Sequence, residues 1–150
     1  FVTQSVLDVP ASIEAVGRAD FVTADGATSP DHDRIEGAHF DLFWAQCLVA
    51  VSVLDAGGTF VVKCFEGLDV ATRRVIAWLT VHFAHVSVIK PMSSRPTNSE
   101  RYLVCRGRTS DPPDLALGYP APAWDYHAAT LFARYAREQA RALEEVLAIA

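Results

Sequence analysis

No stretch of this sequence is apolar for long enough to span a bilayer. Nor is there a secretory leader pattern at the start, so an opening at Phe1 reads as a cut or processed boundary. There is no Cys-x-x-Cys pair. Cys47, Cys64 and Cys105 stand far apart, which argues against a zinc site, and an odd number in apolar runs points to buried free thiols in a reducing compartment. Basic charge is not in excess either. Thirteen Lys and Arg against 18 Asp and Glu leave a net charge of −5, which argues against coating nucleic acid with the whole surface. Internal repeats and low-complexity tracts are absent.

What is present is a chain of 150 residues, 51% of them apolar, enough for one domain with a real core. Ser12 is placed to cap a short helix, Ile13–Arg18, ending near Gly17. Phe21–Ala24 reads as a buried strand closed by Asp25-Gly26, and Ala27–Glu36 as a polar loop. From about Gly37 to Ala56, Phe40, Phe43, Trp44, Cys47, Leu48, Val51 and Leu54 recur at helical spacing, with Gly57-Gly58 as the stop. Thr59–Phe65 is β-branched and aromatic, hence a strand, and Lys63 is its one charge. Asp69–Ala84 is amphipathic through Val70, Val75, Ile76, Leu79 and Phe83. His85–Ile89 and Arg101–Arg106 are two more strands. Residues 109–123 hold Pro112, Pro113, Pro120 and Pro122 and read as a connector. The tail, 124–150, is a long helix with Leu131, Phe132, Tyr135, Leu143, Val146 and Leu147 along the face that packs on the domain.

Strands alternating with helices make an α/β fold of parallel units with right-handed crossovers. The last two strands, joined without a helix, are antiparallel. That ending resembles a Rossmann-like class I methyltransferase sheet. The loop between those two strands and the second strand itself make up Lys90–Gly107. Lys90, Arg95, Arg101 and Arg106, with Arg108 just beyond, cluster there around a single acid, Glu100. In an acidic chain this local reversal points to an anionic ligand held by the loop.

Three stretches carry a more specific resemblance. They are Val22–Ala27 (VTADGA), Leu54–Phe65 (LDAGGTFVVKCF) and Lys90–Gly107 (KPMSSRPTNSERYLVCRG). In these the chain resembles the cap-specific mRNA 2′-O-ribose methyltransferases of the FtsJ/RrmJ-like superfamily. The resemblance implies S-adenosylmethionine-dependent methylation of the ribose 2′-oxygen of 5′-terminal nucleotides in capped mRNA, without a metal. It also implies a nuclear location, with the cytoplasm as the other possibility. Of the family's Lys-Asp-Lys-Glu tetrad, Asp25, Lys63 and Glu100 match; the first Lys does not lie in this chain. The glycine-rich cofactor loop is missing too, since no Gly-x-Gly follows a strand in Phe1–Asp20. Residues 1–108 therefore resemble the C-terminal half of a catalytic domain. The N-terminal half, from the same or a separate chain, is its expected partner, together with capped RNA. Asp25 and Gly26 are expected to border the cofactor. Lys90, Ser93, Ser94, Arg95, Asn98 and Ser99, on a loop stiffened by Pro91 and Pro96, are expected to face RNA. The alternatives are an rRNA or tRNA 2′-O-methyltransferase, or an RNA-binding scaffold that kept the fold without catalysis.

The residues make sense apart from the family. Ligands in open α/β sheets bind at the carboxyl ends of strands. Asp25 ends one parallel strand, Lys63 nears the end of the next, and Glu100 opens an antiparallel strand at the same edge. All three can converge there. Trp44, Phe40 and Trp78 fall at helical spacing and read as core. His32 and His39 flank Glu36 with no third ligand and read as solvated or capping residues.

Overall fold

The computed structural model describes residues 5–27, 35–112 and 122–149. Helix α1 spans Val9–Val16, one turn earlier than the sequence predicts. Asp8 is its cap and accepts from the Ala11 N–H at 3.3 Å. Pro10 sits in the first turn, where its missing N–H leaves nothing unpaired. Ser12, the predicted cap, is buried inside the helix and donates its hydroxyl to the Ser5 carbonyl at 3.1 Å.

Strand β1 (Ala19–Ala24) runs parallel to β2 (Leu54–Cys64). It is an edge strand rather than a buried one: among the described residues its other side has no partner, and Phe21 is 60% exposed. Helix α2 (Ile35–Val53) passes directly into β2, so Gly57-Gly58 does not stop the helix as expected. Instead the pair lies in a bulge. Ala19 pairs with Leu54 and Phe21 with Thr59, and the intervening residues of β2 fold out. Gly57 takes φ 85°, and a Cβ on Gly58 would come 2.8 Å from the Asp55 carbonyl.

Helix α3 (Val70–His82) is capped by Asp69, whose carboxylate accepts from the Ala71 N–H at 2.7 Å. Strands β3 (Phe83–Ile89) and β4 (Arg101–Arg108) follow, then helix α4 (Pro122–Ile149). Strand order is β1-β2-β4-β3, with β4 antiparallel to both neighbours. The last strand of the sheet thus inserts between two that run the other way.

Alternation along β2 and β4 decides where the core lies. Phe60, Val62 and Cys64, with Leu103 and Cys105, face one side and are buried against Cys47, Ala50 and Val51 of α2 and Val75, Ile76 and Leu79 of α3. Trp78 is buried, and Trp44 meets it edge-on at 4.9 Å, so both belong to the core as expected. The opposite side of the same strands carries Val61, Lys63, Tyr102 and Val104, all only half-buried. The three thiols are buried, and none is in a disulfide.

Helix α4 packs on the domain as far as about Gln139. Phe132 is 1% exposed, and Trp124 and Tyr135 pack against the core, but Leu143, Val146 and Leu147 rise from 42% to 74% exposed. The apolar face read from the sequence is therefore covered along part of its length. Asp125 pairs with Arg73 of α3 at 2.6 Å and fixes the helix start. Most of the predicted connector, His32 and most of the loop before α2 lie outside the described residues. No helix among the described residues is long and apolar enough to cross a membrane.

Candidate active site

Three strand ends meet at one edge of the sheet. Asp25 follows β1, Lys63 lies just before the end of β2, and Glu100 precedes β4, which starts where the others stop. Lys63 Nζ lies 2.6 Å from Asp25 Oδ1 and donates to the Asp25 carbonyl at 3.2 Å. The lysine side chain is 13% exposed and the aspartate 66%, so the pair is open on the carboxylate side.

Tyr102 joins this pair to Glu100. It stands opposite Lys63 in the β2–β4 register and donates its hydroxyl to Glu100 Oε1 at 2.8 Å. The Tyr102 hydroxyl also lies 3.4 Å from Asp25 Oδ1, a much weaker contact. Burial pushes the Tyr102 phenol well above its usual range, helped by the hydrogen bond and charge of Glu100 and by Asp25. Glu100 is held from the other side by Asn98. Its Nδ2 donates to Glu100 Oε2 at 3.3 Å, and its Oδ1 accepts the Glu100 N–H at 2.6 Å. A continuous path Lys63–Asp25–Tyr102–Glu100–Asn98 results. The three predicted catalytic residues are brought together, and Tyr102 is the member that sequence reading missed. Two signals pointed to it: residues i and i+2 on a strand share a face, and the antiparallel register sets it across from Lys63.

Behind Lys63 lies an aromatic wall. A cavity of about 20 Å³ is bordered by Gly26, His39, Phe40, Gln46, Lys63 and Phe65 among others. The His39 ring stacks on Phe65 at 4.9 Å and 24°. His39 is 5% exposed, so of the two readings from the sequence, solvated or capping, the solvated one does not hold. Burial, then the charge of Lys63, hold its pKa down. Gln46 pins the turn after β1 by accepting the Gly26 N–H at 3.1 Å while donating to the Leu42 carbonyl at 3.0 Å. A Cβ on Gly26 would approach Gln46 Oε1 to 3.0 Å.

The loop between β3 and β4 is built on two turns. Ser94 N–H donates to the Pro91 carbonyl at 3.0 Å and Asn98 N–H to the Arg95 carbonyl at 3.0 Å. With Tyr102 and Glu100 it outlines a cleft of about 300 Å³, lined also by Pro91, Ser93, Ser94, Arg95 and Asn98. Ser93 and Arg95 are exposed, and the Ser94 hydroxyl is buried without a hydrogen-bond partner. Lys90 differs from its expected role. Its ammonium donates to the Asn98 and Glu100 carbonyls and closes the loop from inside. Burial, and then Arg101, lower its pKa against the opposing pull of Glu100. Ser99 is 8% exposed.

The basic cluster read from the sequence is not a surface patch. Arg101 is 4% exposed and donates to the Ser99 carbonyl at 2.7 Å. Arg108 is 6% exposed and donates to the Val51 and Asp111 carbonyls at 3.0 and 2.9 Å. Arg95 and Arg106 are the members left exposed. The inward cations satisfy carbonyls that strand and helix ends leave over. Among the described residues no cluster of His, Cys, Asp and Glu could hold a metal ion.

A sheet whose last strand inserts antiparallel, with a Lys–Asp–Glu constellation at its carboxyl edge, defines a Rossmann-like methyltransferase of the class I kind. A family model described as FtsJ-like methyltransferase matches residues 3–108. The chain belongs to that family. Curated relatives include cap-specific mRNA (nucleoside-2′-O-)-methyltransferase 2 of Drosophila melanogaster, 36% identical over 69% of this chain. Others are the cap-specific mRNA (nucleoside-2′-O-)-methyltransferase of Autographa californica nuclear polyhedrosis virus, 34% over 63%, and cap-specific mRNA (nucleoside-2′-O-)-methyltransferase 1 of Mus musculus, 40% over 58%. The matched regions span 15%, 37% and 11% of those three proteins. Among solved structures, a putative ribosomal RNA methyltransferase from Plasmodium falciparum superposes with a TM-score of 0.55 at 20% identity, over 73% of this chain and 59% of that one. Human methyltransferase-like protein 13 in complex with SAH gives a TM-score of 0.50 at 15% identity, over 91% and 58%. These two likenesses bear on the fold.

Proposed function

We propose that this chain is the acceptor-side part of a methyltransferase that methylates the ribose 2′-oxygen of 5′-terminal nucleotides in capped mRNA, with S-adenosylmethionine as donor. The observation that carries the reading is the Lys63–Asp25–Tyr102–Glu100 path at the carboxyl edge of the sheet. The relatives' names supply the substrate class.

The chemistry follows from the donors present. A 2′-hydroxyl is a poor nucleophile, and charge develops on its oxygen as its proton passes to water at the open carboxylate side of the Lys63–Asp25 pair. An ammonium has three N–H groups. Lys63 directs two of them at Asp25, one to Oδ1 and one to the carbonyl. The third is free to meet the 2′-oxygen, where it stabilises the developing alkoxide. Asp25 fixes the direction of Lys63. Tyr102 and Asn98 fix Glu100, whose carboxylate accepts from a ribose hydroxyl and orients the sugar. Positioning of this kind supplies much of a methyl-transfer rate. The cleft of about 300 Å³ beside Glu100, with Ser93 and Arg95 on its wall, has the size and the donors for one nucleotide and its phosphate.

S-adenosylmethionine supplies an electrophilic methyl group on a sulfonium. The cavity of about 20 Å³ next to Lys63 and Gly26 holds little more than a water, so that cavity is not its cradle. Asp25 and Gly26 border it at most. We place the cradle, with the family's first catalytic lysine, on strands that add to the free edge of β1 and on helices that cover the half-buried side bearing Val61, Tyr102 and Val104. The exposure of Phe21 supports that placement.

The test uses the full-length protein, labelled S-adenosylmethionine and four RNAs: capped, uncapped, capped with a 2′-deoxy sugar in each of the first positions, and an rRNA fragment. Label on capped ribose RNA alone is the expected result. Label on the rRNA fragment in preference overturns the cap assignment. Label on the deoxy RNA overturns the 2′-oxygen.

A further inference from the structure

Helix α4 lies outside the stretch that matches the family, yet it touches both loops at the candidate site. Its anchor is the Arg73–Asp125 pair at 2.6 Å, and Phe132 seats directly on Gly67 in the loop that leaves β2. One turn further on, the Arg101 guanidinium sits 4.7 Å above the Tyr135 ring while donating to the Ser99 carbonyl at 2.7 Å. One more turn on, Gln139 Nε2 donates to the Thr97 carbonyl at 3.1 Å. Thr97 and Ser99 flank Asn98, the residue that orients Glu100.

From this geometry we infer that α4 is a brace for the substrate-facing loop, with Gln139 and Tyr135 as positioning residues that hold the 91–100 loop over the sheet edge. A polar side chain on a helix reaching a loop carbonyl on a separate element is a directional link. It is also not redundant. Beside it, between Glu66, Leu68 and Arg101 on one side and Ala136, Ala140 and Leu143 on the other, lies a cleft of about 210 Å³. The helix therefore grips the loop at few points, and losing one loosens the loop. That the loop meets RNA rests on the proposed function; that α4 holds the loop does not.

The experiment compares wild-type full-length protein with Gln139→Glu, Gln139→Lys and Tyr135→Leu. Gln139→Glu keeps the shape but turns an acceptor toward the Thr97 carbonyl. Gln139→Lys keeps a donor. The readouts are amide exchange of a peptide covering 92–99, capped-RNA affinity by direct titration, and kcat with separate KM values for RNA and S-adenosylmethionine. Loss of a hydrogen bond worth about 1 kcal/mol corresponds to about fivefold. We expect Gln139→Glu and Tyr135→Leu to speed loop exchange and weaken RNA by about that factor, with the donor KM unmoved, and Gln139→Lys to restore both. Unchanged loop exchange in Gln139→Glu overturns the brace. So does faster exchange with unchanged RNA affinity, or a Gln139→Lys variant as loose as Gln139→Glu. If the wild type transfers no methyl to capped RNA, the proposed function falls, while the exchange and titration results still decide this inference.

Discussion

Replacing Tyr102 with phenylalanine removes one oxygen from the middle of the candidate site and leaves the ring and the β2–β4 pairing intact. The lost contacts are the 2.8 Å donation to Glu100 and the 3.4 Å approach to Asp25. Hydrogen bonds to a charged partner contribute about 1.5–3 kcal/mol. The longer contact adds little, and Asn98 and solvent still reach Glu100, so the lower end applies, about 1.5 kcal/mol. For a domain of this size that is a fall of about 3–6 °C in Tm. The pH dependence gives a second, independent reading. Tyr102 is pushed up by burial, then by the bond to Glu100 and the neighbouring charges. A raised phenol contributes stability that is fully present below its ordinary pKa of 10.0 and is lost as pH rises through the folded value. The gap between wild type and Tyr102→Phe should thus be constant through neutral pH and close in strong alkali. Ultraviolet titration of the phenolate should show wild type losing one late-ionising tyrosine that the variant lacks. Because the Tyr102 hydroxyl fixes the direction of Glu100, kcat should fall about tenfold, for about 1.4 kcal/mol of lost orientation. A variant with wild-type Tm and an unchanged titration would show that the path through Tyr102 does not exist in solution.

Gly67→Ala should be severely destabilising, by about 2–4 kcal/mol in denaturant titration, since Gly67 has φ 67° and an added Cβ would lie 2.4 Å from Phe132. Asp125→Asn should lower Tm at neutral pH. The Arg73 hydrogen bond holds this carboxyl below its usual range against a smaller effect of desolvation. Its stabilisation is present above the ordinary carboxylate range and lost as pH falls through the folded value, so the gap should close in acid. Burial pushes the Cys105 thiol up to about 12 and raises Cys47 as well, so a thiol reagent at neutral pH should label them only as fast as the protein unfolds.

The convergence of Asp25, Lys63 and Glu100 was legible because strand direction alone puts their ends at one edge, and the spacing of apolar residues revealed the helices that set that direction. Tyr102 was legible in principle, since alternation places it on the face of Lys63, but its phenol gains a role only through the register of β4 beside β2. The fates of Lys90, Arg101 and Arg108 were not legible. A cation turned inward to a carbonyl and one turned out to an anion look the same in a sequence, and the difference is made by which chain ends need acceptors satisfied. The start of α1 was misplaced because Ser12 and Asp8 are both good caps; Pro10, which fits a first turn and disfavours a later position, decides for Asp8. The bulge at Gly57-Gly58 was read as a helix stop because glycine serves both, and only the close approach of Asp55 and Asp20 shows which.

The most direct test of the site is Lys63→Ala in the full-length protein, assayed for methyl transfer to capped RNA alongside far-ultraviolet dichroism, Tm and capped-RNA affinity. The strand keeps its pairing, since Lys63 contributes its backbone to the ladder with Tyr102 whatever its side chain. The expected result is a folded protein that binds capped RNA and transfers no methyl group above background. Turnover within a few-fold of wild type in a folded Lys63→Ala protein would contradict it.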